Sequence, residues 1–171
     1  GEVIAAMAVF GANILGKGIV CGLDTPNFIA NRIGVFGILS TMKAMVDHGY
    51  EVDEVDAIMG KAMGKPGSAV FKTADLVGND TLSHICTNVA GSLSDDPQMM
   101  KVKPAAAIFH AMFEKKLWGN KSKQGFYKKG ASKKDKLVID HRTYEYRPVN
   151  KYEYESLTVA KNEEDVGARV E

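Results

Sequence analysis

The sequence is poor in several residue types that would each have marked a class of protein. Its 171 residues hold 2 cysteines, Cys21 and Cys86, far apart and without metal-ligand spacing, which argues against a disulfide scaffold or a structural zinc. Their apolar neighbours suit two reduced, buried thiols in a cytoplasmic protein. The 4 histidines, His48, His84, His110 and His141, are scattered, and no metal or catalytic cluster is read among them. Charge of one sign is not in excess. With 22 basic against 21 acidic side chains the net charge is +1, so no global field recruits nucleic acid or an anionic membrane. No uncharged run reaches the roughly 18 to 20 residues that span a bilayer, and nothing reads as a secretory signal, so a soluble protein is expected. The Gly-x-Gly-x-x-Gly fingerprint of dinucleotide sites is also missing. Gly11-x-x-x-x-Gly16-Lys17-Gly18 imitates a phosphate loop, but it lacks the Ser or Thr after the lysine and precedes a strand-like run instead of following one.

What the chain does have is 45% hydrophobic content, enough for one core plus an appendage. The spacing predicts an amphipathic helix over Glu2 to Leu15, ended by Gly16, and a short buried strand over Gly18 to Leu23. Thr25 as cap and Pro26 as first residue predict a long helix from Pro26 to His48, stopped by Gly49. Its stretch from Ile33 to Met42 is uncharged, too apolar to lie on a surface. Further helices are predicted from Glu54 to Met63 with Asp53 as cap, around Val70 to Leu76, and from Thr81 to Leu93 with Asp80 as cap. Asp96-Pro97 opens another turn, and Pro104 opens the last helix, which presents Ala107, Ile108, Ala111, Met112 and Phe113 and ends near Trp118. The period and the caps together predict a mainly α fold, an orthogonal helical bundle.

From Lys115 to Lys136 the chain holds nine lysines, and beyond it Lys136 to Asp140 and the Tyr-Glu-Tyr triplets at 144–146 and 152–154 change the period from 3.6 to 2. This predicts extended chain or a hairpin, read as a tail that docks on the domain or leads to a following one. Residues 161–171 are charged enough to be disordered. The lysines are read as a solvated face, with the phosphates of coenzyme A as the alternative. A nucleic-acid platform is disfavoured, because glutamates alternating with the tyrosines would repel phosphate.

Three segments carry a family resemblance. Asp24-Thr25-Pro26-Asn27-Phe28-Ile29-Ala30-Asn31-Arg32-Ile33 resembles the Asp-(Thr/Ser)-Pro-Gly-Phe-Ile-x-Asn-Arg-(Leu/Ile) signature that opens the helical domain of the L-3-hydroxyacyl-CoA dehydrogenases. Ala74-Asp75-Leu76-Val77-Gly78-Asn79-Asp80-Thr81 and Lys121-Ser122-Lys123-Gln124-Gly125-Phe126-Tyr127 resemble that family's later motifs in the same order. The resemblance implies the C-terminal helical domain, of the 6-phosphogluconate dehydrogenase C-terminal type, at residues 24–130. Residues 1–23 then look like the last helix and strand of a truncated nucleotide-binding domain, and 131–171 like a tail. The opening at Gly1 fits a fragment. Gly64-Lys65-Pro66-Gly67-Ser68-Ala69-Val70-Phe71 stands where the family has Gly-x-Pro-Met-Gly-Pro-Phe, one residue longer and without the Met-Gly-Pro core, which marks a divergent branch.

Asn31 is the leading site residue, since its carboxamide offers donors and an acceptor at the head of an uncharged helix. From the residues alone, a structural amide is equally open. The resemblance implies a place in the active-site cleft, near the substrate's 3-oxygen and a catalytic histidine. Ser68 is a weaker substrate-binding candidate, with helix capping as its alternative. Arg32 is expected to pair with a carboxylate. The implied enzyme oxidises 3-hydroxyacyl-CoA with NAD in fatty-acid β-oxidation and is a homodimer through this domain, with Gly34 and Gly37 allowing close approach. In some relatives an enoyl-CoA hydratase domain is fused to it. The family's His and Glu lie in the missing domain, so this piece alone is expected neither to bind NAD nor to turn over substrate. Two rivals stand beside this reading: a non-catalytic helical oligomerisation module, and the helical domain of another NAD-dependent hydroxy-acid dehydrogenase.

Overall fold

In the computed structural model, which describes residues 1–132, 135–165 and 167–168, helices α2 to α7 surround one apolar core and a small antiparallel sheet closes its side. Helix α2 (Ala30–His48) is the central rod. It buries Val35, Leu39, Met42 and Met45 at three- and four-residue intervals and stops at Gly49, whose φ of 73° is the left-handed conformation that ends helices. The opposite face is not buried. Ile33 and Phe36 are exposed beside Gly34 and Gly37, so the expectation that this stretch is too apolar to lie on a surface is corrected: α2 buries one face and leaves an apolar flank open.

Helix α3 (Val52–Ile58) is capped by Glu51, not Asp53: Glu51 and Glu54 form a reciprocal capping box. Asp53 is buried and used elsewhere. Helix α4 (Phe71–Val77) and α5 (Asn79–Ser92) follow, the latter burying Leu82, Cys86 and Val89 as its spacing predicts. Asp80 does not cap α5. It sits in the first turn, and its carboxylate lies 2.5 Å from Lys121 Nζ. Asp96 does cap α6 (Pro97–Val102), accepting from the backbone N–H groups of Gln98 and Met99. A 3₁₀ turn over Lys103–Ala106 leads into α7 (Ala107–Glu114), which buries Ile108, Phe109 and Met112. Phe109, absent from the predicted face, meets Phe126 edge-on at 6.0 Å, and Phe71 lies 4.6 Å from the same ring.

The sheet is C-terminal: β1 (Tyr127–Lys129), β2 (Lys136–Ile139) and β3 (Tyr146–Pro148) in the order β1-β2-β3, all antiparallel. Val138 and Ile139 press into the helical core. The strand expected at Gly18 to Leu23 does not form, because no neighbouring strand is there to accept its ladder. The first helix is also shorter than predicted: α1 (Glu2–Val9) passes into a π-helical turn over Phe10–Ile14, and Gly11 alone is buried in the two. Cys21, expected buried, is exposed, whereas Cys86 is buried and both thiols are free. The tail is more structured than a disordered appendage, since α8 (Glu155–Asn162) extends into the segment expected to be unfolded. Within that segment, 166 and 169–171 lie outside the described residues, as do Lys133 and Lys134 of the lysine run.

Candidate functional site

Thr25 and Pro26 begin a turn, not a helix. The Phe28 N–H donates to the Thr25 carbonyl at 3.0 Å, with Pro26 and Asn27 between them and Asn27 at φ 65°. Proline followed by a left-handed residue is what a type II turn favours, and asparagine is among the non-glycine residues that best tolerate that conformation. This explains why the family signature has glycine where this chain has Asn27. Phe28 is also left-handed, at φ 50°, so the chain cannot become helical until Ala30. The helix start predicted at Pro26 is corrected accordingly.

The turn lines a groove of 480 Å³ with Cys21, Gly22, Leu23, Phe28, Ile29, Arg32 and Ile33. Among the described residues Arg32 does not find the carboxylate expected of it; its Nη1 approaches Thr25 Oγ1 at 3.5 Å, within the same wall. Asn31 projects from the first turn of α2 and is exposed, with no hydrogen-bond partner among the described residues. Its neighbours Ile29 and Ile33 are exposed as well. Two residues from each of them, Asn31 faces away from both around the helix and is not among the residues that line the groove; its carboxamide is open to solvent and to any molecule that covers that face. Ser68, by contrast, is half-buried and engaged: it accepts the Thr73 hydroxyl at 2.8 Å.

The loop carrying Ser68 is fixed by Asp56, which sequence reasoning passed over. Its buried carboxylate accepts the backbone N–H groups of Val70 (3.0 Å), Phe71 (2.8 Å) and Lys72 (3.2 Å), so it caps α4 from 14 residues upstream, the role considered for Ser68. Tyr127 donates its hydroxyl to the same carboxylate at 2.9 Å. Asp75 makes the second anchor, accepting the N–H groups of Phe126 and Tyr127, each at 2.8 Å, and the Asn79 side chain at 2.8 Å. Asp53 makes the third, held by Arg147 at 2.7 Å and by the Asn150 N–H at 2.8 Å. The only hint in the sequence was acidic residues at positions where an amphipathic helix should be apolar.

Asp75 and Asp53 are shifted in opposite directions. Burial pushes Asp75 above its ordinary range and outweighs its hydrogen bonds. Burial pushes Asp53 up too, but the Arg147 and Asn150 bonds win and leave it below. Tyr127 is driven far up by burial and by the Asp56 charge, so it remains a phenol that donates. Cys86 is pushed up to about 12 by burial, which makes it an inert thiol at neutral pH.

Of the histidines, His110 Nδ1 lies 2.9 Å from Ser83 Oγ, on the wall of a separate groove with Cys86 and Met100. A cleft of 700 Å³ opens on the other side of the sheet edge, bordered by Lys72, Asn120, Lys123, Tyr127, Lys128, Lys129 and Lys136. Among the described residues no helix is long and apolar enough to cross a membrane.

Residues 28–129 match the model of the 3-hydroxyacyl-CoA dehydrogenase C-terminal domain. The match includes Asn31 and the Asp56 and Asp75 anchors; Arg147, the partner of Asp53, lies beyond it. A probable 3-hydroxyacyl-CoA dehydrogenase of Bacillus subtilis is 40% identical over 169 residues, 99% of this chain and 21% of that protein. Another, from Deinococcus radiodurans, is 40% identical over 133 residues, 78% of this chain and 37% of that protein. The crystal structure of M. tuberculosis FadB2 superposes with a TM-score of 0.61 at 26% identity, covering 74% of this chain and 42% of that one. The chain thus spans between about a fifth and two fifths of the length of these relatives.

Proposed function

Because the chain belongs to the 3-hydroxyacyl-CoA dehydrogenase family through its C-terminal domain, we propose that it is the substrate-facing and self-associating part of a longer enzyme that oxidises 3-hydroxyacyl-CoA to 3-ketoacyl-CoA with NAD in fatty-acid β-oxidation. In that reading residues 1–23 are the end of a preceding nucleotide-binding domain, and residues 131–171 are a docked tail. Support for the first part comes from the exposure of Val3, Ile4, Met7, Val20 and Leu23, apolar side chains that a neighbouring layer would bury.

The observation that carries the reading is the free carboxamide of Asn31 in the first turn of α2, the helix whose Arg32 and Ile33 wall the groove, with Asn31 itself outside that lining. Asn31 orients the substrate by donating to the oxygen on carbon 3, where a donor gains strength as negative charge develops on that oxygen. Ser68, tied to Thr73, is secondary in substrate contact. The described residues do not fit NAD: their strands are short and antiparallel, and among them no glycine-rich turn leads from a parallel strand to a helix. No step is therefore assigned to the cofactor here, and the proton acceptor belongs to the rest of the enzyme. Self-association is assigned to the exposed flank of α2, where Gly34 and Gly37 meet no atom that a Cβ would strike.

Asn31→Ala in the intact parent protein tests the assignment. A fall of about 100-fold in kcat with unchanged thermal stability is expected, the scale of losing one oriented donor. Normal turnover of a 3-hydroxyacyl-CoA would return Asn31 to the role of a surface amide and favour the oligomerisation module.

A further inference from the structure

We propose that the lysine-bordered cleft beside β1 is a binding site for a diphosphate-bearing anion. It stands on the cleft alone, not on the dehydrogenase reading. Five lysines border it, Lys72, Lys123, Lys128, Lys129 and Lys136, with the Asn120 amide and the Tyr127 ring, and no Asp or Glu is among the residues that line it. Its 700 Å³ falls within the range of small-molecule sites.

The charge distribution is the argument. Lys129 lies directly opposite Lys136 in the β1–β2 register, a like-charged cross-strand pair that destabilises a sheet unless something neutralises it. Lys72 has a partner from below, Asp56 Oδ2 at 3.6 Å. Among the described residues, Lys123, Lys128, Lys129 and Lys136 make no ion pair. Lys128 stands on the other face of the sheet, with its Nζ 3.9 Å from the Tyr146 ring, so the charge at the cleft rests on Lys72, Lys123, Lys129 and Lys136. Lys123 sits at φ 60° at the end of the Asn120–Ser122 turn, and Ser122 Oγ donates back into that turn to the Gly119 and Gln124 carbonyls. The cleft therefore combines ammonium groups on short, anchored elements with low-dielectric walls, an arrangement that concentrates positive potential. Lysine binds phosphate as a point charge, so several around one cleft select for charge number over shape, and two linked phosphates satisfy more of them than one. The diphosphate could belong to coenzyme A or to a free phosphate anion.

Calorimetric titration of the full chain at low ionic strength with inorganic pyrophosphate, and separately with coenzyme A, tests the site. Pyrophosphate is expected to bind, and the Lys129→Gln/Lys136→Gln double variant to weaken it at least tenfold without lowering the melting temperature. Lys101→Gln, outside the lining, should leave binding unchanged. If pyrophosphate displaces coenzyme A, the site takes the phosphates of that molecule; if pyrophosphate binds and coenzyme A does not, it takes a free phosphate anion. Absence of pyrophosphate binding, or binding that the double variant retains, overturns the proposal and leaves the Asn31 assignment untouched.

Discussion

The Phe126 backbone N–H donates to Asp75 Oδ1 at 2.8 Å across 51 residues of chain, and the next N–H, that of Tyr127, takes the other carboxylate oxygen at the same distance. One side chain thereby joins the second and third of the segments that resemble the family. It also delivers Phe126 into contact with Phe71 and Phe109.

Asp75→Ala should therefore cost more than a single hydrogen bond. Two backbone donors, one buried and one part-buried, would lose their acceptor, a penalty of about 3 kcal/mol. Urea unfolding followed by circular dichroism measures it, and a loss below about 1 kcal/mol would show that the loop holds its place without the carboxylate.

Gly125→Ala should destabilise the same corner from the other side. A Cβ there would lie 2.0 Å from Asp75 Oδ1 and 2.6 Å from Gly119 Cα, so backbone must move. A cost of about 3 kcal/mol is expected in the same denaturation assay, with Asp75→Ala/Gly125→Ala clearly less destabilised than the sum of the two single variants.

Arg147→Gln should lower stability by about 2 kcal/mol at neutral pH, because it removes a guanidinium that bonds both oxygens of buried Asp53. Asp53 is held below its ordinary value of 3.8, so its contribution is complete above that pH and is lost as pH falls through the lower folded-state value. The difference in melting temperature between wild type and variant should accordingly be largest near pH 7 and shrink below about pH 4. A gap that stays constant on acidification would disprove the linkage.

Leu39→Ala tests whether α2 is the axis of the core. Leu39 is fully buried, and its removal should cost about 3 kcal/mol, whereas Ile33→Ala on the exposed flank should change the stability of the isolated chain by less than about 0.5 kcal/mol.

Asn27→Gly should leave the turn intact, while Asn27→Val, β-branched at φ 65°, should open it. Amide exchange at Phe28, whose N–H donates to Thr25, reads this out. The expectation is at most a twofold change for glycine and at least tenfold faster exchange for valine.

The sequence carried the helical bundle because its signals there are local. Gly49 ends α2, Asp96 and Pro97 start α6, and Leu82, Cys86 and Val89 mark the inner face of α5, each within a turn or two of the residues it governs. What it hid depends on distant partners. Asp53 and Asp80 stood where a helix cap is plausible, yet each is used by a remote segment, Arg147 for Asp53 and Lys121 for Asp80, and Asp56, inside α3, caps the distant head of α4. Thr25-Pro26 was misread for a different reason, since proline serves the first position of a helix and the second of a turn equally well, and Asn27's left-handed backbone decides between them. Asn31 was legible as a residue with capacity to spare, and its exposure could not be read from the period of an uncharged helix.

The Asp53–Arg147 pair spans 94 positions, and Tyr154 reaches back 100 to Glu54. During vectorial synthesis α3 leaves the ribosome long before either partner exists, so for that interval a carboxylate destined for burial has only water to neutralise it. Helices α2 to α7 can assemble early, but the wall containing α3 is locked only after the segment carrying Arg147 and Tyr154 has emerged. A nascent chain arrested before β3 would thus expose a half-finished flank to chaperones and proteases.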